Sequence, residues 1–247
     1  VIRTGGSTGL QLLAQKLATA YKAQTGVKVT VAGGGSGAGI KGAANGTFDI
    51  GNSSRRPQTG DPAGLVFTPI TKEPFVVIVN PKNPLKSLTK DQIKGIFTGT
   101  ITNWKAVGGP DHAIDVYSRV GTSGTLATFR QLFLDGAAVT SAAPTLASNG
   151  LCRTKVAGDR FGISFVTFAY VATSKAVKPL QVSGVAPTLK NVIANRYAYW
   201  GYQFFVTKGA PAGPVAAYLN WVRSSKGAAV MKNLAIPTTD GPLTTTA

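Results

Sequence analysis

Apolar and polar positions alternate along this chain in a pattern that predicts strands feeding loops that open helices. Ile2 belongs to a short strand that runs into Gly5-Gly6-Ser7-Thr8-Gly9, and Leu10, Leu13, Ala14, Leu17 and Tyr21 then recur at helical spacing up to Gly26. Val27, Val29 and Val31 alternate as a half-buried strand with Lys28 outward, followed by Ala32 to Gly39 and a short helix through Ile40 and Ala44. Phe48-Asp49-Ile50-Gly51 is a third strand, ending in the polar loop Asn52 to Pro57. Such β-loop-α repetition is the pattern of a parallel sheet, where ligands bind at the carboxyl ends of strands.

Phe75 to Val79 is a continuous apolar run, read as a buried strand that carries the chain between lobes. Thr89-Lys90-Asp91-Gln92 fits a capping box ahead of Ile93, Ile96 and Phe97. Asp115-Val116-Tyr117 ends a strand, and Ser118 to Thr125 opens a helix through Leu126, Phe129, Leu132 and Phe133. Residues 137–161 are weakly patterned, Gly162 to Val166 is a strand, and Thr188 caps a helix through Val192 and Ile193. Trp200 to Val206 reads as an aromatic strand, Val215, Leu219 and Val222 mark the last substantial helix, and Thr244 to Ala247 a polar tail.

Three of these loops share one chemistry. Ser7-Thr8, Ser36 and Ser123-Thr125 each follow a strand and open a helix, and Arg119 stands four residues before Ser123. The first turn of a helix leaves backbone N–H groups unbonded at the positive end of its dipole. One such loop is an ordinary Ser/Thr cap. Three of them, with a guanidinium, supply N–H and O–H donors suited to a tetrahedral oxyanion.

Composition narrows the class. The 247 residues carry 26 Lys and Arg against 9 Asp and Glu, a formal charge of +17, which favours anionic partners. The basic residues are scattered without a run, so nucleic acid is not expected, while headgroups or cell-wall polymers remain compatible. No apolar stretch has the length of a membrane span, and the opening directly on a strand is expected of a mature or trimmed form. Cys152 stands alone and reads as a small buried residue.

Competing chemistries lack parts. Gly37-Ala38-Gly39-Ile40-Lys41-Gly42 spells G-x-G-x-x-G, yet the helix is short and the acid at the right distance, Asp61, sits in a turn. Gly5 to Gly9 matches a nucleophile elbow, but the one histidine, His112, precedes the middle of the chain with Asp111 beside it, the wrong order for a triad. One His, one Cys and scattered carboxylates make no zinc site. No cofactor, no metal and no catalytic residue are expected.

The opening G-S-T loop, G-G-G-S-G-A-G, D-I-G-N-S-S-R, F-T-G-T-I-T-N-W and R-x-x-x-S-G-T stand in one order along nearly the whole chain. In that order they resemble the phosphate-binding receptors of bacterial phosphate ABC transporters, a periplasmic-binding-protein-like family. The resemblance implies a type II fold of two α/β lobes closing over a desolvated phosphate, here 1–76 with 200–247 and 77–199. It implies that Thr8, Gly9, Ser36, Ser123, Gly124 and Thr125 donate to the anion, that Arg119 pairs with it, and that Ser7 and Gly37 are neighbours. A monomer outside the cytoplasm, delivering phosphate to a membrane permease, is expected.

The chain departs from the family at Ser54, where many members carry an aspartate that accepts the proton of hydrogen phosphate, and at Gly121, acidic in some. A serine hydroxyl tolerates both phosphate and sulfate, so a receptor for another tetrahedral oxyanion is the alternative, as is a sensing or adhesion module on the same fold. Asp49 is read as a structural residue at a strand end, and Arg55 as a possible second positive charge.

Overall fold

The computed structural model describes residues 1–245. In chain order the elements begin β1 Ile2–Gly6, α1 Thr8–Thr25, β2 Val29–Ala32, α2 Ser36–Asn45, β3 Ile50–Ser53 and β4 Leu65–Val79. They continue with β5 Ser87–Leu88, α3 Lys90–Thr98, β6 Asp115–Val116, β7 Ser118–Arg119, α4 Gly124–Phe133, β8 Thr145–Leu146, α5 Asn149–Gly158, β9 Gly162–Thr167 and α6 Ala169–Ala172. The last are β10 Lys178–Pro179, β11 Gln181–Val182, α7 Leu189–Ile193, β12 Trp200–Lys208, α8 Gly213–Val222, α9 Ser225–Met231, β13 Ile236–Pro237 and β14 Leu243–Thr244. Contacts divide the chain into two compact units: Val1–Glu73 with Thr122–Gly124 and Gly201–Ala247, and Pro74–Gly121 with Thr125–Trp200.

The first unit is built on strands in the order β2-β1-β3-β12-β4. β1 runs parallel to β2 and β3, whereas β12 is antiparallel to β3 with Phe205 opposite Asn52. Successive side chains of a strand point to opposite faces. Phe205 accordingly joins Leu13, Leu17, Ile50 and Tyr218 on one face, while Phe204 and Val206 join Ile40, Leu65 and Phe67 on the other. Burial on both faces accounts for the long apolar runs of an α/β sheet.

α1 presents the expected stripe of Leu10, Leu13, Ala14, Leu17 and Tyr21 inward and ends at Gly26, whose φ of 76° lets its N–H reach the Lys22 carbonyl. α2 lies so close to the sheet that a Cβ on Gly39 would stand 2.6 Å from the Asn52 carbonyl oxygen and 2.8 Å from that of Gly5. No side chain fits there.

In the second unit the far half of β4 is flanked by β10 and β9, with β6 beyond β9. Every residue of β9 is buried. Phe165 stacks on Phe129 at 4.0 Å, and Phe97 meets Phe129 edge-on at 4.8 Å, joining α3, α4 and β9 in one aromatic core. Thr89 and Gln92 form the capping box of α3. Trp104 is buried and donates its indole N–H to the Phe161 carbonyl at 3.0 Å.

Several elements differ from the sequence pattern. β4 is fifteen residues long and starts at Leu65, ten residues before the apolar run. Its first half carries Thr68, Thr71 and Glu73, polar residues that are nonetheless buried. α5 lies within the stretch that has no clear period, and α9 follows α8 after a short break. Lys28 is exposed but precedes β2. The start of the polar tail is tied to the sheet: Leu243 and Thr244 pair with Phe67 and Val66 of β4, and the Thr245 hydroxyl donates to the Pro62 carbonyl at 2.8 Å. Thr246 and Ala247 lie outside the described residues.

Candidate functional site

In the first unit, β1, the loop before α2, the end of β3 and the Thr122–Gly124 segment converge through backbone bonds. The Ser7 N–H donates to the Asn52 carbonyl (2.8 Å), the Gly35 N–H to the Gly6 carbonyl (2.8 Å) and the Gly37 N–H to the Thr122 carbonyl (3.1 Å). Gly37 thereby serves as a strut, its own N–H satisfied by the chain. Ser7 caps α1 by accepting from the Gly9 N–H at 3.2 Å. The first turn of α1 contains no acidic residue and places buried Thr8 and Gly9 at its positive end. α2 begins at Ser36 behind a glycine N-cap, so no side chain caps its first turn.

The Ser36 hydroxyl oxygen accepts from the Ser54 N–H at 3.0 Å. A hydroxyl that already accepts from the protein keeps its proton for an external acceptor. Gly124 approaches this hydroxyl so closely that a Cβ would sit 2.1 Å from the Ser36 Oγ. Ser123, beside it, is buried.

Ser54 itself is placed differently from the expectation of a rotating hydroxyl. Its Oγ lies 2.5 Å from the Ser7 Oγ and donates to the Gln203 Oε1 at 2.5 Å. Arg55 is not a second charge for a ligand either. Its guanidinium grips Asp61 with two bonds of 2.8 and 2.7 Å, and both side chains are nearly buried. Burial pushes the Asp61 carboxyl up, but the bonds from Arg55 and the Gln58 N–H outweigh it and hold the carboxyl below its ordinary range. Above the ordinary carboxylate range this pair contributes its full stability, and that contribution fades as pH falls through the depressed value. The double variant Arg55→Met with Asp61→Leu is therefore expected to lose melting temperature less steeply than the wild type between pH 5 and pH 2. Parallel acid limbs in thermal melts would remove the pair from that role. Asp49 pairs with Arg3 at 2.8 Å, a structural bond between β1 and the residue just before β3.

In the second unit, Arg119 ends β7 and is 1 % exposed. Its Nε donates to the Leu146 carbonyl at 3.0 Å and its Nη2 to the Ala147 carbonyl at 3.1 Å. Two backbone oxygens thus fix the plane of the guanidinium. Burial lowers its pKa, although an arginine stays charged at any ordinary pH. Thr125, in the first turn of α4, is buried and accepts from the Asn149 Nδ2 at 3.1 Å, while the Asn149 Oδ1 accepts from the Thr167 N–H at 3.2 Å. As at Ser36, the hydroxyl oxygen is occupied by a protein donor and the proton faces outward from that bond. Gly121 has open space around it.

The donor set contains no nucleophile paired with a base. The Ser7 hydroxyl has Ser54 and the Gly9 N–H as partners, and exposed His112 stacks its ring on Phe161. Among the described residues no cluster of His, Cys, Asp or Glu could hold a metal ion.

Two contributors carry a fainter sequence signal. Gln203 stands in an aromatic strand where Gly201, Gln203 and Phe205 alternate on one face, and a polar residue at a core-facing position is the signal. Asn149 lay in the unpatterned stretch, where Ser148 followed by Asn149 and Gly150 marks a helix start.

Each unit carries buried hydroxyls at a helix start, and the second a buried arginine, groups of the kind that a binding protein for an oxyanion uses. The chain belongs to the PBP superfamily domain family, whose model matches residues 1–226, and within it to the phosphate-binding receptors. It is 34% identical over 224 residues to the phosphate-binding protein PstS of Bacillus subtilis, covering 89% of this chain and 74% of that relative. A Clostridium perfringens structure described as a phosphate ABC transporter substrate-binding protein with bound phosphate superposes with a TM-score of 0.91 at 30% identity, over 96% of this chain and 99% of that one. An ABC-type phosphate transport receptor from Vibrio cholerae gives 0.75 at 28% identity, over 96% and 99%.

Proposed function

We propose that this protein is an extracytoplasmic receptor that captures inorganic phosphate as a monomer and hands it to an ABC permease. The donors are Thr8, Ser36, Ser123, Gly124 and Thr125 with Arg119; Ser7, Gly37 and Ser54 stand behind them as neighbours, as does Gly9, whose N–H is given to the Ser7 hydroxyl. The observation that carries the reading is the paired arrangement at Ser36 and Thr125. Each buried hydroxyl accepts from a protein N–H, so each is fixed as a donor. An oxyanion with several lone pairs and no carbon is the ligand such fixed donors suit. The named relatives from Bacillus subtilis and Clostridium perfringens support phosphate as that anion. No helix of the described residues is long and apolar enough to cross a membrane.

A second reading, a receptor for sulfate or a like oxyanion, is favoured by one observation. Positions 54 and 121 are Ser54 and Gly121, so neither offers a carboxylate to reject a fully ionised ligand.

Phosphate is expected to raise the melting temperature with concentration, because a ligand that binds only the folded state stabilises it by mass action. At a hundredfold excess over Kd the gain is about 2.7 kcal/mol, or roughly 5–10 °C for a chain of this size. Sodium chloride at matched ionic strength reproduces none of it. Equal effects of the two salts would show that the +17 charge is merely screened, and would defeat the reading.

A further inference from the structure

Gln203 occupies a core-facing position of β12 and has no exposed surface. Its Oε1 accepts the Ser54 proton at 2.5 Å, and the Ser54 Oγ lies 2.5 Å from that of Ser7. With the Ser54 proton directed at Gln203, the Ser7–Ser54 contact needs the proton of Ser7. Both hydroxyl protons then run along one chain towards the amide. The chain ends on the Gln203 Nε2, which is buried and has no acceptor among the described residues. Asn52, two residues back from Ser54 on the same face of β3, adds a second fully buried amide with neither atom bonded. A buried amide is selected against unless something accepts from it, and a leucine of similar size would fill this position without that demand.

The geometry points to Gln203 as a specificity-determining residue of the phosphate site, one that makes this corner of it an all-donor surface. Its Oε1 ties up the hydroxyl that stands in the place of an acceptor, and its Nε2 offers two N–H bonds to an anion oxygen. An anion then needs no proton of its own to fit here. Hydrogen phosphate and bare oxyanions such as sulfate are both taken, and the discrimination that an acceptor carboxylate supplies is absent. This rests on the phosphate reading above.

The test uses two variants of the whole chain. Gln203→Glu keeps an oxygen for the Ser54 proton but replaces the N–H donors with a charged acceptor. Gln203→Leu removes both. Calorimetric titrations with phosphate, and competition by sulfate, are run from pH 6 to pH 8.5 beside thermal melts. In the wild type, sulfate competes measurably with phosphate. In Gln203→Glu, sulfate competition is expected to fall by roughly tenfold or more relative to phosphate, because an unprotonated oxygen now faces a carboxylate. Phosphate binding by that variant persists through the second ionisation of phosphate, because hydrogen phosphate keeps one proton for the carboxylate to accept, whereas sulfate has none to offer. Gln203→Leu lowers affinity for both anions and leaves their ratio unchanged.

An anion ratio unchanged in Gln203→Glu overturns the proposal while leaving the receptor reading intact. So does a Gln203→Glu protein that loses both anions equally in step with a lower melting temperature, the result of a structural amide satisfied by buried water. Wild-type protein that binds phosphate and ignores sulfate at large excess overturns it too. Wild-type protein that binds neither anion removes the receptor reading, and this inference with it.

Discussion

Arg119→Ala weakens phosphate binding by about 10–100-fold, the expected result of deleting one charge-assisted hydrogen-bonding group worth roughly 1.5–3 kcal/mol. The side chain is 1 % exposed, and its guanidinium is oriented by the carbonyls of Leu146 and Ala147. Alanine therefore removes the ligand's charge partner while the aromatic core of Phe97, Phe129 and Phe165 stays in place. Arg119→Lys keeps the charge and loses the planar fork that two carbonyls hold in register, so it falls between wild type and alanine. Calorimetric titration of the three proteins decides the order. A variant that melts like the wild type and binds phosphate unchanged takes Arg119 out of the site.

Gly39→Ala is expected to damage stability and binding together. Its Cβ would meet the Asn52 carbonyl oxygen at 2.6 Å, that of Gly5 at 2.8 Å and the Asn52 nitrogen at 2.9 Å. These are backbone atoms of paired strands, with no rotamer to move aside. Overpacking of this kind costs about 1–3 kcal/mol, or roughly 2–12 °C of melting temperature at this chain length. Relief comes by lifting α2 off β1 and β3, which carries Ser36 away from the Ser54 N–H that orients it. Phosphate affinity should fall by a further factor of about ten, the scale of one lost hydrogen bond. Gly121→Ala is the control, because nothing lies within 4 Å of its added Cβ, and its melting temperature should stay put. A Gly39→Ala protein that melts normally would show that the sheet yields at this point.

What could be read beforehand followed from local rules. Gly26 and Gly46 end α1 and α2 in the left-handed conformation that glycine permits, and Thr89 with Gln92 forms its box, all visible within a few residues of sequence. The order of motifs exposed the family because strand, loop and helix end repeat as one unit. What stayed hidden depended on partners far along the chain. The first half of β4 has buried Thr68, Thr71 and Glu73, so its burial comes from neighbouring strands and leaves no apolar period. Ser54 read as a rotating hydroxyl because nothing near it in sequence announces Gln203, and Arg55 read as available because Asp61 belongs to a turn beyond Pro57. Local propensity cannot report an acceptor that arrives from 149 positions away.

The pairing of β3 with β12 also sets an order of events during synthesis. Phe204 opposes Ser53, so the first unit cannot complete its sheet until β12 has left the ribosome, about 150 residues after β3. Most of the second unit is one continuous run from Pro74 to Trp200, which can condense while its neighbour still waits for a central strand. Closing so long a loop is slow compared with local contacts. The Ser54–Gln203 bond belongs to that late step, so an arrested chain ending before Trp200 would own Arg119 and every loop hydroxyl and still lack this corner of the site. That corner therefore forms only after β12 has been made, however early its other members emerge.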